Sequence, residues 1–483
     1  MSHNPLPSNF HEKSTILQNY TKAPVRIIPS SGQQDLTAND IVILTLPVGS
    51  VIDLRTFVIN FAFETTGDAT HMVGMPKWTS SLIDTMDIYV NGINVQHIPY
   101  YNWWYNTLKD FKKGHNEAIK QLNVNADPST LSVMANTGVI TKYNATTNTG
   151  VADINKYKGD FTINDFIGFL GECQPSIIDT SLFGTIEIHI RLASEKVLTA
   201  TTGGTQGYTI SKLYAYVDKL DFKDERYYMI QEQIMKSGSP LKIPYKNYRV
   251  HIGSELATGK ESTTRFTEST NSLDKIHLSF LDGGRMTAGD LVLGDVTSNI
   301  PAATGADVAG INTYLDLYLK DGGISNKHWN YENILASGST NLLNNSKYFR
   351  RNGLGVGTVQ FEINSQDLPS FPLDLVNQYQ ETMKAMELNE NEQATINPSI
   401  KSMNIYEKDF YLCTLSTSHI NDKSDTTFIS GLNTQATSMN VAVKVTQSTT
   451  KATNAAQKCT PIVCCEMTSI LLVSAGRQIS VIA

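Results

Sequence analysis

Hydrophobic and polar residues alternate with a period of two in most patterned stretches of the chain. Residues 55–63 show this alternation, and residues 185–192, 274–280 and 439–445 repeat it. The apolar faces comprise Phe57, Ile59, Phe61 and Phe63; Ile186, Ile188, Ile190 and Leu192; Ile276, Leu278 and Phe280; and Met439, Val441, Val443 and Val445. The pattern predicts half-buried antiparallel strands, with polar residues such as His189, Lys275, His277 and Ser279 facing water. The number and dispersal of these strands predict an all-β chain of sandwiches and disfavour a parallel α/β sheet.

The stretch "SLIDTMDIYVNGINVQHIPYYNWWYNTLKDF", residues 81–111, predicts a hairpin that leads into a helix. Asn91 and Gly92 suit a type I′ turn, because both central residues of that turn need a positive φ. The implied register is Val90–Ile93, Ile88–Val95 and Met86–His97 on a nearly apolar face, and Tyr89–Asn94 and Asp87–Gln96 on a mostly polar face. A shift of one residue would exchange the two faces, so we expect this register to be well specified.

Aromatic residues follow the hairpin at helical spacing. Tyr101, Trp104, Tyr105, Leu108 and Phe111 form an apolar stripe after Pro99 ends the strand. We interpret the stripe as a core element that packs against a sheet, and a ligand-stacking role for these aromatic rings is the alternative.

A second strand-to-helix transition lies in the C-terminal half. The strand pattern "GTVQFEIN", residues 357–364, leads into residues 365–386. In that stretch Val376, Tyr379, Met383 and Met386 follow helical spacing. We interpret it as a structural counterpart of the first transition, since the two share a pattern and not a sequence.

A predicted helix near the middle of the chain divides it into two β domains of similar length. The stretch "DERYYMIQEQIMKSG", residues 224–238, can be capped by Asp224 and is ended by Gly238 and Pro240. The predicted organisation is an N-terminal arm (1–24), a first domain (25–222), a linker helix (223–240) and a second domain (241–483). Long loops are predicted over residues 112–160, 194–208 and 282–352, where strand patterns are sparse.

Composition narrows the class of protein. The 483 residues carry a net charge of −7 with a pI near 5.8, which argues against a protein that binds nucleic acid mainly through electrostatic attraction. The sequence contains no run of 18 apolar residues, so no transmembrane helix is expected. The N-terminal stretch lacks the apolar core of a signal peptide and reads as a polar arm.

The five cysteines fit neither a zinc site nor a disulfide framework. They are Cys173, Cys413, Cys459, Cys464 and Cys465. We expect most of them to be reduced and buried, as in proteins assembled in a reducing cytosol. Reactive thiols at Cys464 and Cys465 are the disfavoured alternative.

The sequence contains only weak candidates for catalytic or ligand-binding residues. Residues 353–357, "GLGVG", resemble part of a dinucleotide loop, but they lead into a strand and not into a helix that could hold phosphate. His97 is interpreted as a hydrogen-bonded rim residue. Asp367 and Asp374 fit turn and helix-cap roles better than acid–base chemistry.

Two further motifs have a conditional role. Asp84 and Asp87 could hold a cation, although their spacing does not require one. Asn144 begins a glycosylation sequon, which matters only if the chain is secreted. We therefore predict no catalytic, cofactor-binding or metal-binding residues, no cofactor and no enzymatic activity.

Five stretches carry a resemblance to a known family. They are residues 86–106, "MDIYVNGINVQHIPYYNWWYN"; residues 243–253, "IPYKNYRVHIG"; residues 269–284, "STNSLDKIHLSFLDGG"; residues 428–445, "FISGLNTQATSMNVAVKV"; and residues 466–482, "EMTSILLVSAGRQISVI". In their order and in the strand–helix–strand junction, the chain resembles the major capsid proteins of double jelly-roll viruses. That lineage includes virophages, polinton-like viruses and tailless membrane-containing phages.

The resemblance implies two consecutive eight-stranded jelly rolls that stand side by side. It also implies pseudo-hexameric homotrimers that tile an icosahedral shell in the virion after assembly in the host cytoplasm. The expected partners are further copies of the chain, penton proteins and minor capsid proteins, with no sequence-specific nucleic acid. The arm, residues 1–24, is a candidate for contacting a neighbour, a minor capsid protein or an internal membrane, and a tail without a partner is the alternative.

Two other classes of protein compete with this interpretation. A glycan-binding or glycan-cleaving β-sandwich would present exposed aromatic residues such as Trp78, Trp103 or Trp329 beside paired carboxylates. No such carboxylate pair stands out in the sequence. A viral spike or adhesin is also β-rich, but we would expect it to have a single barrel or a fibrous shape.

Overall fold

Antiparallel strands dominate the architecture in a computed structural model of the chain. The structure describes residues 20–30, 32, 35–65, 73–74, 78–112, 158–201, 207–222, 227, 229, 232–233, 236, 240–255, 261–282, 343–344, 347–349, 351, 353, 356–386, 406–407, 410–418, 431–435, 439–447, 459–474 and 478–482. Among these residues, no helix has both the length and the apolar character that crossing a membrane requires.

The strands are numbered here in chain order. They are β1 (Tyr20–Ile27), β2 (Asp35–Leu36), β3 (Ile41–Thr45), β4 (Val51–Thr65), β5 (Val73–Gly74), β6 (Ile83–Val90), β7 (Ile93–Ile98), β8 (Lys158–Ile163), β9 (Ile177–Asp179), β10 (Ile186–Leu192), β11 (Thr199–Thr201), β12 (Tyr208–Phe222), β13 (Leu241–Ile252), β14 (Glu261–Glu268), β15 (Leu273–Asp282), β16 (Leu343–Asn344), β17 (Val356–Ile363), β18 (Gln366–Leu373), β19 (Cys413–Ser416), β20 (Met439–Gln447), β21 (Cys459–Ser474) and β22 (Gln478–Ile482). The α-helices whose bounds fall within the described residues are α1 (Tyr101–Lys112), α2 (Phe169–Glu172), α3 (Thr180–Phe183) and α4 (Leu375–Ala385). Short 3₁₀ helices are η1 (Thr79–Leu82), η2 (Glu195–Val197) and η3 (Lys347–Phe349).

Two eight-stranded barrels follow one another along the chain. In the first barrel the sheets have the orders β1-β12-β4-β8 and β3-β10-β6-β7, and in the second they have the orders β13-β21-β15-β19 and β14-β20-β17-β18. When the eight strands of each barrel are counted in chain order, both barrels pair the first strand with the eighth and the second with the seventh. This arrangement is the jelly roll. The predicted fold class, two consecutive jelly rolls with a few short helices, is confirmed.

Smaller strands extend this frame. β2 and β9 add to the first sheet of the first barrel, and β22 pairs with β21 in the second. A separate three-stranded sheet, β16-β11-β5, joins strands from both halves of the chain. The apolar cores of the two barrels form one contiguous cluster. The barrels are therefore packed together through side chains as well as joined by the chain.

The period-two pattern locates the core faces correctly. The predicted inward residues of β4, β10 and β15 are buried, as are Val441, Val443 and Val445 of β20. The prediction that Lys275, His277 and Ser279 face water is wrong, because these three residues of β15 are buried too. The ring of His277 lies beside that of Trp104 in the first barrel, and Ser279 donates to the carbonyl oxygen of Tyr411. His189, by contrast, is half-buried and lies 3.1 Å from Glu187.

The first hairpin contains a β-bulge that the sequence did not predict. The pairs Val90–Ile93 and Tyr89–Asn94 form as expected, but the register then shifts, so that Ile88, Asp87 and Met86 pair with Gln96, His97 and Ile98. The predicted pairs Ile88–Val95, Met86–His97 and Asp87–Gln96 are therefore wrong. The bulge adds one residue to β7, and as a result the neighbouring side chains of Val95 and Gln96 are both buried.

Both predicted strand-to-helix transitions are present. Helix α1 buries the five residues of its aromatic stripe, and its polar residues between 102 and 110 are buried as well. Met383 of α4 and Met386 just after it are buried, and Tyr379 is partly buried. Val376 is 52% exposed, so its predicted place on the apolar stripe is wrong. The polar residues Gln378 and Thr382 of α4 are buried as well.

The structure describes residues at two of the predicted domain boundaries, the end of the arm and the linker. Residues 20–24, which we assigned to the arm, belong to β1 and pair with residues 218–222 of β12. In the predicted linker, the described residues 227, 229, 232–233 and 236 are helical, and β13 begins at Leu241. Residues 1–19 and most of the predicted long loops lie outside the described residues. In the 194–208 stretch, η2 and β11 are present.

Candidate functional site

The contact between the two barrels is the most elaborate arrangement of polar side chains that the structure describes. The bulge in β7 directs Gln96 toward the second barrel, where its amide donates to the carbonyl oxygen of Lys246 at 3.0 Å. The Gln96 amide oxygen accepts from the backbone N–H of Phe169 at 2.9 Å. Tyr245 donates its hydroxyl to the carbonyl oxygen of Val95 at 2.7 Å. The bonds to Lys246 and from Tyr245 fix the edge of β7 against β13.

The segment around α2 continues the contact along the edge of β13. The backbone N–H of Gln174 donates to the carbonyl oxygen of Pro244 at 2.9 Å, and the backbone of Cys173 pairs with that of Tyr245 as an isolated antiparallel β-bridge. The hydroxyl of Tyr248 donates to Glu172 at 2.6 Å. Burial raises the pKa of the Tyr248 phenol well above its usual value, so this group acts as a hydrogen-bond donor.

Helix α1 forms the other half of the contact. The ring of Trp104 lies 6.2 Å from that of His277 in the second barrel, measured between centroids. The Arg351 guanidinium reaches α1 from the second barrel, with Nη2 2.7 Å from Asp110 and Nη1 3.4 Å from the hydroxyl of Thr107. The side chains of Arg351 and Asp110 are each only 1% exposed. A buried ion pair therefore joins the barrels.

Behind this contact, charged groups pair across the first sheet of the second barrel. Lys246 lies 2.6 Å from Asp274 and 3.7 Å from Glu466, and Glu466 is 3.3 Å from Nε2 of the buried His277. Nδ1 of His277 lies 2.9 Å from the hydroxyl of Thr414. Burial alone would lower the pKa of Lys246, but the carboxylates of Glu466 and Asp274 outweigh it and the pKa is raised. The neighbouring carboxylates therefore favour the charged form of Lys246, and the network has a structural role.

One group of potential metal ligands occurs among the described residues. His251, Glu268 and Cys465 place one ligand atom each within 4.8 Å of one another. Nε2 of His251 lies 2.6 Å from one Glu268 oxygen, and Arg249 lies 3.0 Å from the other. Because both Glu268 oxygens already have partners and one partner is a guanidinium, the arrangement fits an ion-pair cluster better than a cation site.

The remaining candidates from the sequence have structural contacts. Gly353 accepts a turn hydrogen bond from the backbone N–H of Val356, in line with an ordinary turn. Asp374 caps α4 by accepting from the backbone N–H of Asn377 at 2.9 Å. His97 is exposed and pairs with Asp87, its neighbour on β6.

Four of the five cysteines are buried free thiols: Cys173, Cys413, Cys464 and Cys465. Burial raises the pKa of Cys464 and Cys465 well above the usual thiol value, which opposes reactivity. Trp78 and Trp103 are buried and so do not form an exposed aromatic platform. Asn144, Trp329 and the side chain of Cys459 lie outside the described residues.

Sequence reasoning did not find the residues that build the contact between the barrels. Gln96, Lys246 and Arg351 come from three separate parts of the chain, and no sequence pattern singled out their side chains. The nearest signal is the stretch 245–251, where two tyrosines stand among polar residues in a strand that follows the linker. Residue types alone do not show that both faces of that strand's sheet are covered.

Comparisons with known proteins agree with this architecture. No protein-family model matches the sequence, and no curated protein matches it. Among solved structures, the chain resembles the crystal structure of PBCV-1 VP54 fitted into a reconstruction of the virophage Sputnik, with a TM-score of 0.54 and 11% identity over 98% of this chain and 99% of that one. It also resembles the Faustovirus major capsid protein, with a TM-score of 0.53 and 9% identity over 96% and 94% of the two chains.

A third similar chain comes from the structure of the Sputnik virophage at 3.5 Å resolution. Its TM-score is 0.53 at 11% identity, over 96% of this chain and 88% of that one. At such identities the likeness concerns the fold, and it extends through both barrels. The chain therefore has the double jelly-roll fold of these viral proteins, and the resemblance predicted from the sequence is confirmed at the level of the fold.

Proposed function

We propose that this protein is a major capsid protein, a structural component of a virion with no enzymatic activity of its own. The observation that carries the proposal is the repetition of one eight-strand order in two adjacent barrels, in a chain that shares its fold with the Faustovirus major capsid protein over nearly its whole length. The described polar clusters support it, because they hold strands and barrels together. A shell protein needs such rigidity, since its contacts are repeated many times.

The assembled unit is a homotrimer with six barrels. Six similar barrels in a ring give a roughly hexagonal block, and such blocks can tile an icosahedral shell. The partners are other copies of the chain, with penton and minor capsid proteins at special positions of the shell. Assembly takes place in the host cytoplasm.

Measuring the mass of the purified chain in solution tests this proposal. We expect a stable trimer of three 53.3 kDa chains, and electron microscopy should show particles with pseudo-hexagonal outlines. A chain that remains monomeric at high concentration would contradict the trimer.

The N-terminal arm contacts a neighbouring subunit, a minor capsid protein or an internal membrane. Deletion of residues 1–19 should leave trimers intact and impair shell assembly. A longer deletion through residue 27 removes β1 and its pairing with β12, so it should prevent folding and serves as a contrast. Normal particles from the shorter deletion would refute a role for the arm.

A glycan-binding or glycan-cleaving sandwich is not favoured. Two of the tryptophans on which that function would depend, Trp78 and Trp103, are each 1% exposed. Binding of the monomer to a carbohydrate array would reopen this alternative.

A further inference from the structure

Each barrel contains a hairpin followed by a helix, and the two units share their local geometry. The first hairpin–helix unit, residues 83–112, turns at Asn91 and Gly92, with φ values of 50° and 80°. The second, residues 356–385, turns at Asn364 and Ser365, with φ values of 51° and 65°. Two successive positive φ values characterise the tight hairpin turn in both units. The two units are therefore equivalent elements of the two barrels.

The two units differ in what covers them. The first is packed against β13 and Arg351 of the second barrel, and all side chains of residues 101–111 are buried. In the second, Phe371 on β18 is 51% exposed and Val376 on α4 is 52% exposed. Gln380 and Lys384 follow Val376 at four-residue intervals and are exposed too. The matching positions of α1, counted from the first helical residue, are Asn102, Asn106 and Asp110, which are all buried.

The strand that covers the first unit also has a counterpart. β13 is the edge strand of its sheet, and β1 is the edge strand of the equivalent sheet in the first barrel. Both strands contain Lys-x-Pro, at Lys22 and Pro24 in β1 and at Lys242 and Pro244 in β13. The carbonyl oxygen of Pro244 accepts a hydrogen bond from the first barrel, whereas residues 20–24 of β1 are exposed. One chain thus presents both an uncovered hairpin–helix unit and an uncovered receiving edge.

Charge does not select this contact, because Lys22 already lies 2.6 Å from Asp218 and Asp367 lies 4.0 Å from Lys444. Both elements instead expose large apolar side chains, Tyr20 on β1 and Phe371 and Val376 on the second unit. Burying this apolar surface between two copies favours their association.

We propose that the second hairpin–helix unit of one copy docks on the β1 edge of the first barrel in a second copy, in the way the first unit docks on β13 within the chain. The inference rests on the proposed homotrimer and specifies which surfaces form it. The contact joins two different surfaces, so it is heterologous, and three such contacts close a ring in which the two barrel types alternate. Aggregation through the exposed β1 edge is prevented when the ring is closed.

Substitutions on the two surfaces test the proposal by their effect on mass. Phe371→Asp alters the docking unit and Ala23→Glu alters the receiving edge, and both side chains are exposed, so the barrels should fold normally. Each variant should lose the trimer and sediment as a monomer. Ile93→Asp is the matched control, since Ile93 is 42% exposed on the first hairpin and lies outside both surfaces, and it should stay trimeric.

Cross-linking identifies the pairing of the two surfaces. In a mixture of Ala23→Cys and Phe371→Cys chains, a short bismaleimide should yield covalent dimers, and chains with both substitutions should yield covalent trimers. With Cys459 replaced by serine in every chain, either single variant alone should give no covalent product, because the four described native cysteines are buried. A two-fold symmetric contact would instead cross-link one single variant with itself.

The outcomes separate this inference from the proposed function. Trimers that survive both charge substitutions, or self-linking of a single cysteine variant, would overturn the docking scheme and leave the homotrimer standing. A wild-type chain that never forms trimers would overturn both. Circular dichroism and the thermal transition verify folding, and Val376→Asp and Lys22→Glu replace any variant whose transition is lost.

Discussion

Replacing Arg351 by methionine should weaken the junction between the barrels more than any single exposed substitution. The guanidinium lies 2.7 Å from Asp110, and each side chain is 1% exposed. Removing one member of a buried ion pair typically costs about 3–5 kcal/mol, because the other charge remains in a poorly solvated site. The indole N–H of Trp78 still donates to Asp110 at 3.4 Å, so we expect a loss near the lower end, about 3 kcal/mol.

Urea unfolding followed by tryptophan fluorescence measures this loss, because Trp104 lies at the same junction. Far-ultraviolet circular dichroism follows the loss of the strands themselves. A fluorescence transition at lower urea than the circular dichroism transition would show that the barrels separate before they unfold. The double variant Arg351→Met with Asp110→Asn should recover at least about 1 kcal/mol, since the amide carries no charge to bury. Lys236→Met removes an exposed ion pair with Glu232 and should leave the transition unchanged.

A loss below about 1 kcal/mol for Arg351→Met would refute the reasoning. It would mean that water reaches Asp110 when the guanidinium is absent, and that the ion pair is not a buried link. An equal loss in the single and double variants would also contradict it, because the cost would then come from packing and not from an unpaired charge.

The remaining predictions concern the same junction and the buried thiols. Gly168→Ala should destabilise the protein strongly, because φ is +80° at Gly168 and a Cβ there would lie 2.5 Å from the Gln96 amide. Gly92→Ala is the control, since φ is also +80° but no atom lies within 4 Å of the added Cβ, and it should destabilise the protein less. Equal losses of stability in thermal unfolding would contradict a role for the Gln96 contact. Cys464 and Cys465 should not react with a thiol reagent until the chain unfolds, and reaction of the folded protein would contradict their burial. Because burial raises the pKa of both thiols, their contribution to stability is complete below the unfolded-state pKa of about 8.5 and falls as pH rises above it, by about 1.4 kcal/mol per pH unit for each thiol. Denaturation between pH 7.5 and 10 should therefore show a shallower decline in a Cys464→Ala variant, and an unchanged slope would contradict this assignment.

The sequence determined the local elements because their signals are local. Alternation in residues 55–63 and 185–192 identified core faces, and Asn91-Gly92 located the first turn. The resemblance of five stretches to double jelly-roll capsid proteins led to the fold class, which the structure bears out. The aromatic spacing of residues 101–111 likewise identified α1 as a buried helix.

Only the tertiary structure decided which of these elements meet. The bulge at Val95 escaped prediction because it is stabilised by the partner of Gln96, a carbonyl about 150 residues away in sequence. His277 has the spacing of a surface residue, but it is buried because the outer face of its sheet is covered by another barrel. Periodicity reports which residues share a face, and it carries no information about what lies against that face. The contact between the barrels depends on distant residues that become neighbours only when both jelly rolls have formed.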